Sequence, residues 1–210
     1  MIPSSILSLS WRRIWPPHSW AYFKDLEGKI GFDLDKAKAL LKEAGQDKGF
    51  EMELMCSAQK VAGTADLAQI MQADLKKIGI TAKVADLEPA QYDSRTNKGD
   101  IVVMTHTYGR GSRDPGTTLT GAKSWYTEAE GGWTHFESAE YTKAKADLNS
   151  TIDREKRQAL CRRIQEIALD ECFTIPVAES PRPWIYANYV KGFGYNMDSS
   201  PFVADFWLDK

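Results

Sequence analysis

Phe50-Glu51-Met52-Glu53-Leu54 alternates apolar and acidic side chains, and Ile80-Thr81-Ala82-Lys83-Val84 alternates apolar and polar ones in the same way. Period-two patterning of this kind predicts two half-buried strands. Between them a helix is expected from about Thr64. Leu67, Ile70, Met71, Leu75 and Ile78 form its apolar stripe, and Lys76, Lys77 and Gly79 mark its end. Two strands flanking a crossover helix pair in parallel, with a right-handed connection. A second helix from Pro89 to about Thr96 leads through Gly99 into Ile101-Val102-Val103-Met104. That continuous apolar run predicts a strand covered on both faces. The result is a β-α-β-α-β unit of the α/β class.

On the amino-terminal side, Asp33 is placed to cap a short helix with Ala37, Leu40, Leu41 and Ala44 on one face and Gly45 as its stop. On the other side, Thr107 to Phe136 is glycine-rich and aperiodic. It is long for a simple connection, which points to a functional surface. Ser138 and Asp153 are placed to cap two further helices. The first carries Tyr141, Ala144, Leu148 and Ile152, the second Leu160, Ile164, Ile167 and Ala168. Phe173 to Val177 and Trp184 to Tyr186 are expected as strands, with Pro176 at an edge or an end. Trp11 to Tyr22 holds three tryptophans and two prolines without a period, an apolar segment that needs a surface to dock on.

Within 210 residues, 42% are hydrophobic and 27% charged, which fits a folded domain rather than a disordered or membrane-spanning chain. A net charge of −2 gives no general attraction to nucleic acid. Cys56, Cys161 and Cys172 are too few for a disulfide framework. The last two, read as lying on one helix, would be separated by about 16 Å of rise. Arg12 and Arg13 follow the short Ile6 to Leu9 apolar stretch instead of preceding it, an order unlike that of a signal peptide.

Several fragments carry a family resemblance. Phe32 to Gly45, Gln72 to Ile80, Asn97-Lys98-Gly99-Asp100, Ile152 to Arg157, Ile175-Pro176-Val177 and Val190-Lys191-Gly192-Phe193 resemble, in order, segments of the carboxyl-terminal lobe of the family 5 extracellular solute-binding proteins. These are the peptide-binding receptors of ABC importers. The resemblance implies a type II periplasmic-binding-protein lobe, half of a two-lobe receptor that closes on a small-molecule or peptide ligand. It implies an ABC permease as partner, a periplasmic or extracellular membrane-associated location, and neither catalysis nor a cofactor. Residues 32–193 are then expected to be the lobe and residues 1–31 a hinge or inter-lobe remnant. Residues 194–210 would be a tail packing on an amino-terminal lobe missing from this sequence.

Ligands of open α/β sheets sit beyond the carboxyl ends of the strands, which directs attention to the segment after Met104. The resemblance assigns Tyr108 as the aromatic residue following this strand, and Asp114-Pro115 as the Asp-Pro that closes the segment. In peptide-binding members an aspartate here pairs with the ligand's amino terminus. This sequence has Gly111 in that register, flanked by Arg110 and Arg113, whose guanidiniums suit a carboxylate or phosphate. The candidate ligand residues are therefore Tyr108, Arg110, Gly111, Arg113, Asp114 and Trp125. Other roles remain open at this point. Arg110 and Arg113 are also readable as solvated loop charges, Trp125 and Trp133 as core residues, and Asp114 as the cap of its own turn. Gly116 to Lys123 misses the P-loop lysine position. Two further readings are an enzyme using Asp114 with His106 or His135, and an interaction module docking through Trp11, Trp15, Trp20, Phe206 and Trp207.

Overall fold

The computed structural model describes residues 14–15, 17, 19–107, 114–177, 185–194 and 201–209. The chain divides into two compact units. One comprises Gly31–Tyr108 with Glu128–His135; the other comprises Met1–Ile30, Gly109–Thr127 and Phe136–Lys210.

The first unit holds α1 (Leu34–Glu43), β1 (Glu51–Cys56), α2 (Thr64–Lys76), β2 (Thr81–Asp86), α3 (Pro89–Lys98) and β3 (Val103–Met104). Its sheet runs β2-β1-β3, with both pairings parallel. Glu51 aligns with Thr81 and Leu54 with both Val84 and Val103, so β1 is the central strand. Alternation along β1 separates two cores. Leu54 and Cys56 pack with Ala68 and Ala82 beneath α2, while Met55 packs with Tyr92 and Ile101 beneath α3. The expected cap of α1 is present, the Asp33 carboxylate accepting from Asp35 and Lys36 amides.

Two expectations for this unit need correction. The apolar run at Ile101 yields only a two-residue strand at the sheet edge, and Val102 is 70% exposed. A continuous hydrophobic run signals burial on both faces only where both faces are covered; among the described residues β3 pairs with β1 alone, at the sheet edge, and Val102 is left open. Ile70, placed in the buried stripe of α2, is exposed; Thr64 and Ala68 are the residues of α2 that are fully covered.

In the second unit lie α4 (Pro115–Gly121), α5 (Ala139–Ser150), α6 (Arg154–Asp170) and the antiparallel pair β4 (Val190–Lys191) and β5 (Trp207–Leu208). Ser138 and Asp153 cap α5 and α6 as expected, accepting from the Tyr141 and Lys156 amides. Tyr141, Leu148, Ile164 and Ala168 form the buried seam between these helices. The Tyr141 hydroxyl and the buried Lys145 ammonium both donate to the Trp125 carbonyl, at 2.8 and 3.0 Å. The aromatic segment near the amino terminus docks on α6. Ile14, Trp15 and Ala21 are buried, and Gln165 donates to the Ala21 carbonyl.

Corrections apply here too. The Thr107 to Phe136 stretch contains α4, whose start is marked by Asp114 as cap and Pro115 in the first turn. Seven residues with two glycines are too short to show a period. Residues 173–177 form no strand; the Phe173 ring instead packs on Phe136, Tyr141 and Trp125. Ile185 and Tyr186 form no strand either, and Trp184 is outside the described residues. Ile152 is 98% exposed and lies past the end of α5, while Cys172 lies past the end of α6.

Parallel pairing of β1 and β2 begins at a close backbone approach. A Cβ on Gly49, which sits at φ 72°, would fall 1.9 Å from the Gly79 carbonyl oxygen. The Thr81 amide donates to the Phe50 carbonyl immediately beyond. Gly49→Ala is therefore expected to destabilise the protein by about 3 kcal/mol, combining left-handed strain with displaced strand pairing. Urea unfolding measures this, and an unchanged midpoint contradicts it.

Candidate functional site

The parallel arrangement brings the carboxyl ends of β1, β2 and β3 to one edge of the sheet. After β1 the chain turns at Ser57, whose carbonyl accepts from the Lys60 and Val61 amides, and the Asp86 carboxylate at the end of β2 accepts from the Ala58 amide. After β3, the Thr105 amide extends the ladder to the Met55 carbonyl, and the Thr105 hydroxyl donates to the Thr64 carbonyl at the start of α2. His106 follows on the α3 side, with Nδ1 3.2 Å from the Tyr92 hydroxyl and its ring edge-on to Trp133 at 4.7 Å.

The polar logic of this edge follows from the donor inventory. The Tyr92 hydroxyl lies 3.1 Å from the Thr105 carbonyl, which can only accept, so Tyr92 donates there. Its remaining capacity is as an acceptor, which makes Nδ1–H of His106 the donor and leaves Nε2 with a lone pair. Burial, followed by the Asp93 and Cys56 charges, pushes the Tyr92 phenol up to about 12. His106 is held below the ordinary imidazole value, first by burial and then by the Lys60 charge, with Asp93 opposing. Lys60 pairs with Asp93, and its ammonium lies 5.7 Å from the Tyr92 ring centre. Ser57 is 2% exposed, and its hydroxyl and the indole N–H of Trp133 are buried without a hydrogen-bond partner among the described residues. An edge carrying a hydroxyl, an indole N–H and an ammonium suits a ligand rich in acceptors.

Of the residues expected to touch ligand, Tyr108, Arg110, Gly111 and Arg113 lie outside the described residues. Asp114 caps α4: Oδ1 accepts from the Gly116 amide at 2.9 Å, and Oδ2 accepts from the Arg157 guanidinium. Trp125 is 0% exposed, its ring meeting Phe173 edge-on. The sequence analysis does not single out Ser57, Lys60 or Tyr92 and reads His106 only as a group an enzyme would use beside Asp114. Each follows a strand or lies on the next helix, so applying the strand-end rule to all three strands would have found them.

The model of the bacterial extracellular solute-binding proteins, family 5 Middle, matches residues 12–130. The dipeptide-binding protein of Escherichia coli K12 is 30% identical over 183 residues, covering 82% of this chain and 33% of that protein. Heme-binding protein A of Haemophilus influenzae is 26% identical over 193 residues, covering 90% and 34%. The peptide-bound periplasmic binding protein DppA of Helicobacter pylori superposes with a TM-score of 0.75 at 25% identity, covering 96% of this chain and 39% of that one. The chain thus spans about a third of the length of the curated relatives it matches. Its fold is that of a type II periplasmic-binding-protein lobe.

A neutral His106 in the folded state binds fewer protons than in the unfolded chain. Its contribution to stability is therefore complete above about pH 6.5 and is lost as pH falls below that value. In an NMR titration His106 is expected to titrate below the ordinary imidazole value, and Lys60→Met should move it upward by removing a repelling charge. A downward or absent response contradicts the electrostatics described. With more than half of its length matching the family, the chain belongs to the family 5 bacterial extracellular solute-binding proteins.

Proposed function

We propose that this chain is the solute-binding lobe of an ABC-importer receptor that captures a peptide or another small solute, anionic ones included, in an inter-lobe cleft. The carrying observation is the donor-rich carboxyl edge of a parallel sheet whose three strands lie within the region that matches the family. Lys60, the Ser57 hydroxyl and the Trp133 indole N–H meet acceptor groups of the solute. The Tyr108 to Asp114 segment contributes Tyr108 as a stacking face and Arg110, Gly111 and Arg113 as polar contacts. Asp114 closes this segment as the cap of α4. An amino-terminal lobe outside this sequence supplies the opposite wall. Closure of the two lobes, driven by differential affinity for the closed form, is the signal that a membrane permease reads in the periplasm or at the extracellular membrane face. The engaged carboxylate of Asp114 favours this receptor reading over acid–base catalysis, because both its oxygens are already committed.

Isothermal titration with Ala-Ala, Ala-Ala-Ala and succinate tests the reading, using this chain alone and a two-lobe receptor that contains it. Binding is expected in the two-lobe form and should be weak in the chain alone. Lys60→Met should weaken binding by about tenfold through loss of a charge-assisted hydrogen bond. Equal affinity of the two forms, or turnover of any of the three probes, would overturn it.

A further inference from the structure

Arg157 ties together three pieces of the second unit. One nitrogen of its guanidinium, Nη1, donates to the Leu148 carbonyl at 2.6 Å and to the Thr151 carbonyl at 2.8 Å. Both carbonyls belong to the end of α5, where helical partners run out. The other nitrogen, Nη2, donates to Asp114 Oδ2. Asp114 in turn holds the Gly116 amide, so the first turn of α4 is fixed through the carboxylate to the first turn of α6. The guanidinium is largely covered, with 18% of the side chain exposed, where a charge-assisted pair is less screened than at the surface. Gly116 makes room for it: a Cβ there would fall 2.6 Å from Nη2 and 3.0 Å from Asp114 Oδ1.

The place of Asp114 in the chain gives this clamp its consequence. Asp114 ends the segment between β3 and α4 that carries the candidate ligand residues, and Arg157 lies far along the sequence, beyond α5. We propose that Arg157 is a positioning residue for solute binding, setting through Asp114 where that segment ends and α4 begins. This rests on the solute-binding reading for its purpose, but not for its geometry. Arg157 itself touches no solute. Lysine would restore the charge to Asp114 but, lacking the planar fork, would not hold both carbonyls of α5 at once.

Amide hydrogen exchange on the whole chain tests the clamp in Arg157→Gln, Arg157→Lys, Asp114→Asn and Gly116→Ala. Asparagine keeps the cap acceptor but puts an amide donor where Oδ2 accepted from Nη2, so the charge pair and its hydrogen bond are both lost. The alanine Cβ pushes the guanidinium aside without removing it. Amides of residues 114–121 are expected to exchange about tenfold faster in Arg157→Gln, Asp114→Asn and Gly116→Ala, and less so in Arg157→Lys, while β1 and the centre of α6 keep wild-type rates. Unchanged rates at 114–121, or equal acceleration throughout α5 and α6, overturn the proposal. Ala-Ala is then titrated into the two-lobe receptor. Weaker binding in Arg157→Gln with partial rescue in Arg157→Lys supports positioning, and undiminished binding in Arg157→Gln overturns it. A wild-type receptor that binds none of Ala-Ala, Ala-Ala-Ala and succinate while the exchange pattern holds counts against the solute-binding reading and leaves the clamp supported.

Discussion

Parallel pairing of β1 with a neighbour on each side is the constraint on which the first unit depends. Parallel strands cannot be joined by a tight turn, so each pairing requires a crossover, and α2 and α3 are those crossovers. Once the crossovers are in place, all three strands must end at the same edge. Ser57, Asp86 and Thr105 therefore come together from distant parts of the sequence, and the loops that follow them are the parts of this unit released from ladder hydrogen bonding. The Gly49–Gly79 contact at the opposite edge is the cost of starting β1 and β2 in register.

Polar groups at the carboxyl edge are held by a small set of obligate donors and acceptors. Tyr92 is committed to a backbone carbonyl that can only accept, which fixes the proton position on His106, which in turn meets Trp133. In the second unit a comparable economy operates around Trp125, whose carbonyl takes hydrogen bonds from Tyr141 and Lys145. Lys145 carries its charge into the interior over the faces of Tyr126 and Tyr141, a setting in which cation–π attraction offsets part of the desolvation.

Elements with a strong local signal were legible in the sequence. The alternation at Phe50 and Ile80, the caps at Asp33, Ser138 and Asp153, and the glycine after α1 located β1, β2, α1, α5 and α6, because each signal is a side-chain period or a hydrogen bond within a few residues. Features that depend on distant neighbours were less legible. Nothing local distinguishes Val102, just before an edge strand, from the same valine beside a central one, and the apolar Phe173 to Val177 run gives its leading ring to an aromatic cluster instead of a ladder. For the site, strand order directs attention to the segment after β3 but does not reveal the Tyr92–His106 pair, because its members meet only when α3 lies against the sheet.

The cysteines, set aside as too few to brace the fold, divide sharply by accessibility. Cys56 lies beneath α2 and Cys161 within α6; burial is the leading influence raising both thiols, with Cys161 reaching about 12, so neither offers a thiolate near neutrality. Cys172, just beyond α6, is exposed. A maleimide-linked fluorophore applied to the native chain would thus attach at one place, giving optical access to the second unit without any engineered residue.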